Sequence, residues 1–83
     1  MPTIVFSMNI ELSKAFGTVV RNRRTEMKFS QEELAHQAGL HRTYIGMIER
    51  GEKNITIENI DKIASALKLS ISELFNHIEK SQK

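Results

Sequence analysis

The sequence predicts an all-α protein of five helices in one compact domain, and three observations carry that expectation. Apolar residues recur at three- and four-residue intervals over most of the chain, the spacing of helices with one buried face. Two Ser-x-x-Glu patterns, Ser30 to Glu33 and Ser70 to Glu73, mark helix starts. The run from Ser30 to Gly51, SQEELAHQAGLHRTYIGMIERG, has the form of two short helices joined by a tight turn. Its small and apolar residues fall where the two helices would cross. The 83 residues leave room for one core only.

The first helix is expected from Leu12 to Met27, where Phe16, Val19, Val20 and Met27 share one face. Residues 1–11 precede it as an arm without an assigned role; its TIVF run suits a disordered arm, an edge strand or a pad against a second copy. Helix 2 starts after the Ser30 cap and stops at Gly39, which takes the left-handed conformation at low steric cost. Helix 3 spans Arg42 to Arg50 and stops at Gly51. Thr56 caps helix 4, whose apolar face is Ile57, Ile60, Ile63, Ala64 and Leu67. Ser70 opens helix 5, which runs to about Ile78. The folded domain is thus expected over residues 12–79, with a polar tail at 80–83 and no strand.

Within the helix-turn-helix, Leu34, Ala35, Ala38, Leu40, Ile45 and Ile48 form the inner contact, with Ala35 at the closest approach. Turning helix 3 by about 100° per residue puts Ile45 and Ile48 on one side and Tyr44 at the edge. Arg42, Thr43, Gly46, Met47 and Arg50 fall on the other, outward side. Such a face suits the major groove of DNA: an arginine can bond guanine O6 and N7 together, and a threonine can meet a base or a thymine methyl. Gly46 costs about 1 kcal/mol of helix propensity against alanine and would let a groove wall approach. His41, at the N-cap of helix 3, caps poorly, and its imidazole is assigned instead to a phosphate.

These residues resemble the lambda-repressor/Cro type of helix-turn-helix domain, the XRE family, over roughly residues 12–75. The likeness includes VVRNRR, SQEELA, YIGMIERG and LKLSISELF. The segment GLHRTYIGMIERGEKNITIENIDKIASAL is most similar to the controller proteins of restriction–modification systems. The resemblance implies a lambda-repressor-like DNA-binding fold and several roles. Gln31 matches a phosphate contact that braces the recognition helix; Arg42, Thr43 and Met47 match base readers, and Tyr44 a DNA-facing tyrosine. Lys53, Asn54 and Thr56 match phosphate contacts, and Arg50 is placed with them. Arg24 and Glu49 match a structural ion pair between helices 1 and 3. Lys28 departs from the family, standing where a glycine is common.

Charge and composition narrow the function. Residues 12–28 carry a net +4 within a chain of net +2, so the basic excess lies just ahead of the motif. There is no cysteine, no P-loop and no glycine-rich dinucleotide turn, and His36, His41 and His77 lack metal-ligand spacing. No cofactor, metal or enzymatic activity is expected, and no apolar run reaches the roughly 18–20 residues of a membrane span. The expected protein is a cytoplasmic transcriptional regulator that binds a pseudo-palindromic double-stranded DNA operator as a homodimer. Ile71, Leu74, Phe75 and Ile78 of helix 5 are assigned to the dimer interface. A controller would regulate its own gene and an endonuclease gene, with RNA polymerase as a further partner. The alternatives are a phage-type repressor, or an antitoxin or coactivator whose main task is binding a protein.

Overall fold

A computed structural model describes residues 5–6, 10–52 and 54–81. The order is β1 (Val5–Phe6), α1 (Ile10–Glu26), α2 (Gln31–Ala38), α3 (Arg42–Glu49), β2 (Ile55–Thr56), α4 (Ile57–Ala66) and α5 (Ile71–Ser81). Local chemistry accounts for most of these boundaries. The Ser30 hydroxyl accepts from the Glu33 amide at 3.0 Å, while the Ser30 amide donates to the Glu33 carboxylate at 3.1 Å. Ser70 and Glu73 repeat the same reciprocal cap at the start of α5. The Thr56 hydroxyl accepts from the Asn59 amide at 3.1 Å and opens α4. Gly39 closes α2 at φ 69°, and the next amide, of Leu40, returns to the Ala35 carbonyl at 2.9 Å.

The core lies between all five helices. Phe16 and Val20 of α1, Leu34 of α2, Ile45 and Ile48 of α3, Ile60 and Ile63 of α4 and Leu74 of α5 are all buried. The hydrophobic faces read from the sequence converge there, with Met27 and Leu40 packed at its margin. Ile57, by contrast, is only partly buried at the first position of α4.

Three expectations need correction. A short ladder exists: β1 and β2 are antiparallel, with Val5 opposite Thr56 and Phe6 opposite Ile55. The arm is therefore an edge strand at residues 5–6, and Ile55 enters the core from the connection between α3 and α4. A two-residue strand carries no periodicity, so only the meeting of distant segments reveals it. Helix α1 also begins at Ile10, and α5 continues to Ser81, whose hydroxyl donates to the Ile78 carbonyl at 2.8 Å. Finally, Leu74 and Ile78 are spent in the monomer's own core, which removes them from the four-residue dimer surface. Ile71 and Phe75, one position round the helix, remain partly exposed.

The turns after α1 and α4 are built on lysine rather than glycine: Lys28 has φ 61° and Lys68 φ 60°. A side chain in this region crowds the following carbonyl, at a cost of about 1–2 kcal/mol. Net of the entropy glycine loses on folding, Lys28→Gly and Lys68→Gly should each stabilise the fold by about 0.5–1 kcal/mol. Chemical denaturation measures this directly, and a lowered midpoint in either variant would contradict the strain.

Candidate nucleic-acid interface

Helices α2 and α3 join through Gly39 and bury Leu34, Ala35 and Ala38 against Ile45 and Ile48. The packing leaves Arg42 and Thr43 exposed in the first turn of α3, with Met47 partly exposed one turn later. His41 is exposed at the N-cap and its side chain makes no capping bond. Tyr44 is half-buried, and its hydroxyl accepts from Asn59 Nδ2 at 3.2 Å, which ties α3 to α4. Asn54 is exposed in the loop beyond α3, whereas the Thr56 hydroxyl is engaged as the α4 cap. Lys53 lies outside the described residues. Arg50, exposed at the end of α3, pairs with Glu52 at 3.1 Å.

Gly46 is placed differently from expectation. It is buried, and a Cβ there would lie 3.2 Å from Arg50 Nη1 and 3.7 Å from Gln31 Oε1. The outward row of α3 is therefore covered at its centre by Gln31 and Arg50. A helical wheel treats α3 in isolation and shows neither side chain reaching across.

The last residue of α3 organises the whole site. The Glu49 side chain is 0% exposed, an expensive place for a carboxylate unless its charge is matched. Arg24 grips it with both arms, Nε to Oε2 at 2.6 Å and Nη2 to Oε1 at 3.0 Å. The remaining Arg24 Nη1 donates to the Phe29 carbonyl at 2.8 Å, so the same residue holds the turn between α1 and α2. Gln31 Nε2 donates to Glu49 Oε1 at 3.1 Å, and Arg21 Nε stands 3.6 Å from that oxygen. Burial pushes the Glu49 carboxyl pKa up, but the bonds from Arg24 and Gln31 and the two arginine charges outweigh it and hold the value below the ordinary range.

Close backbone approach makes this reach possible. A Cβ on Gly17 would sit 2.6 Å from the Glu49 carbonyl oxygen and closer still to that of Ile48. Only glycine lets α1 rest directly on the end of α3. At the other end of that contact, Gly51, at φ 73°, faces the Lys14 backbone at 3.0 Å from where a Cβ would stand. Gly17 and Asn59 have no role in the reading from sequence, and Arg21 enters it only as one cation of the basic excess at residues 12–28. The four- and three-residue steps from Gly17 to Arg21 to Arg24 are the signal that could have joined them, because those positions share one face of α1.

The arrangement presents an arginine–threonine pair on a helix whose roll is set by a buried ion pair. Among the described residues, no group of His, Asp and Glu converges to hold a metal ion, and no helix is long and apolar enough to cross a membrane.

Comparison with known proteins places this geometry. The helix-turn-helix family model matches residues 20–74. The chain is 42% identical to the control protein C.MunI of Mycoplasma sp over 66 residues, 78% of this chain and 89% of that one. It is 45% identical to the control protein C.BamHI of Bacillus amyloliquefaciens over 62 residues, 74% and 76% of the respective chains. Its fold is similar to that of the restriction–modification controller C.AhdI of Aeromonas hydrophila, with a TM-score of 0.74 and 44% identity over 76% of this chain and 96% of that one. It is also similar to the controller C.Esp1396I, whose tetramer is seen with its natural 35 base-pair operator, with a TM-score of 0.79 and 34% identity over 84% and 92% of the chains.

The buried carboxylate makes stability depend on acid. Its folded pKa is depressed, so its contribution is complete above the ordinary glutamate value of 4.5 and is lost as pH falls through the lower folded value. Glu49→Gln should cost about 3–5 kcal/mol at neutral pH by stranding Arg24. The gap between variant and wild type should then close progressively below about pH 4.5. Denaturant midpoints from neutral to acid pH test both statements; a gap that stays constant would show that Glu49 does not titrate as described.

Proposed function

The chain belongs to the helix-turn-helix family, as an XRE-type DNA-binding regulator of the restriction–modification controller kind, and on that premise we propose that a homodimer of it reads a pseudo-palindromic operator. The observation that carries the reading is the exposed Arg42–Thr43 pair at the head of α3, on a helix held in its roll by the Glu49 network. With α3 in the major groove, Arg42 bonds guanine O6 and N7 through its forked guanidinium, and Thr43 meets the neighbouring base. Met47 supplies an apolar contact one turn on. Tyr44 lies at the edge of that surface, its hydroxyl oxygen accepting from Asn59 and its proton free to donate.

Gln31, His41, Arg50 and Asn54 contact the phosphates, and the family resemblance adds Lys53 to them. Arg50 exchanges its exposed partner Glu52 for phosphate, an exchange of one screened ion pair for another. Thr56 serves chiefly as the α4 cap. Dimerisation uses the margin of α5 at Ile71 and Phe75, since a single recognition helix covers too few base pairs for selectivity. The tetramer of C.Esp1396I on its operator supports assembly of several copies along DNA.

Control then follows from concentration. At low levels the protein activates its own promoter and a linked endonuclease gene through RNA polymerase; at higher levels it fills a second site and represses. The setting for this activity is the cytoplasm.

Random-site selection on duplex DNA followed by footprinting tests the proposal, and should return two inverted half-sites about one helical turn apart. Arg42→Ala should lose about 1–3 kcal/mol per half-site of the selected operator and relax the preference at one base pair in each. Equal affinity of variant and wild type for that operator would refute the recognition face.

A further inference from the structure

Arg21 stands outside the residues assigned to DNA, yet its position sets it apart from the other cations of α1. Three donors converge on Glu49 Oε1: Arg24 Nη2 at 3.0 Å, Gln31 Nε2 at 3.1 Å and Arg21 Nε at 3.6 Å. Arg24 alone matches the carboxylate charge, and its Nε, Nη1 and Nη2 each bond Glu49 or the Phe29 carbonyl, with only 13% of the side chain exposed. Arg21 is therefore a surplus cation at the hub, with 56% of its side chain exposed. Its Nη groups have no hydrogen-bond partner among the described residues. The Gln31 amide and the Arg21 guanidinium both face that one carboxylate oxygen.

We infer that Arg21 and Gln31 form a single phosphate clamp, in which Arg21 is a DNA-backbone ligand and Glu49 the common anchor of both. The inference rests on the DNA-binding reading above and adds a residue to it. An ion pair with Glu49 at 3.6 Å orients the Nε edge of the guanidinium and leaves the Nη pair as a fork that matches two phosphate oxygens. Fixing that edge before DNA arrives reduces the rotamer freedom lost on binding. The Arg24 charge keeps the buried carboxylate from repelling the phosphate. The contact lies along the α1–α2 border, next to the recognition helix, and it carries no base information.

The test is binding of the full chain to two duplexes, the one obtained by random-site selection and a scrambled one of the same length and composition, over a range of salt. Arg21→Gln should weaken both by the same factor, roughly tenfold per protomer at low salt, and lower the slope of log K against log salt by about 0.9 per protomer, or about 1.8 for the dimer. Arg21→Lys should keep the wild-type slope, because the charge remains. The melting temperature of Arg21→Gln should stay close to wild type. An unchanged slope, or a loss confined to the selected duplex together with a lowered melting temperature, overturns the clamp and makes Arg21 a support for Glu49. A wild-type chain that binds neither duplex overturns the DNA-binding reading and the clamp with it. Normal wild-type binding with an indistinguishable Arg21→Gln overturns the clamp alone.

Discussion

A carboxylate with no exposure to water is the constraint around which this small domain is arranged. Glu49 ends α3, and its charge is tolerable only while Arg24 and Gln31 reach it. Those partners come from different helices, so a single buried group fixes the position of α3 against both α1 and α2. Apolar contacts alone would permit small rolls of α3 at little cost, since many rotations keep Ile45 and Ile48 buried. Directional bonds to a buried charge do not. The same bonds turn Gln31 across α3, which explains why Gly46 lies beneath it rather than open to a groove.

That network depends in turn on how closely the backbones approach. Gly17 lets α1 lie against the carbonyls of Ile48 and Glu49, which brings Arg21 and Arg24 within reach of the carboxylate. The turns show a different balance. Gly39 and Gly51 occupy left-handed positions without strain, whereas Lys28 and Lys68 occupy theirs at a cost. Folding therefore tolerates strained turns here, while the reciprocal Ser–Glu caps of α2 and α5 and the packed core offset them.

Helix α5 shows how one amphipathic element divides its face. Leu74 and Ile78, four residues apart, point into the core; Ile71 and Phe75 form the adjacent row and keep partial exposure. The same helix thus completes the monomer core and leaves a partly exposed apolar margin. The roles divide accordingly, with the exposed Arg42–Thr43 pair on α3 and its anchors on α1 and α2.

Residue type and local spacing were enough for every feature that local chemistry dictates. Helix starts at Ser30, Thr56 and Ser70, the left-handed stop at Gly39, the apolar faces, and the exposure of Arg42 and Thr43 all follow from residue type and spacing within one or two turns. The Arg24–Glu49 pair was legible too, through likeness to a family whose pattern already encodes it. Tertiary structure alone decided the burial of Gly46 and Ile78, the pairing of Val5–Phe6 with Ile55–Thr56, and the convergence of Arg21 and Gln31 on one oxygen. Each of these depends on the distance between segments far apart in the chain. A helical wheel records which way a side chain leaves its own axis; it carries no information about which neighbour arrives to cover it.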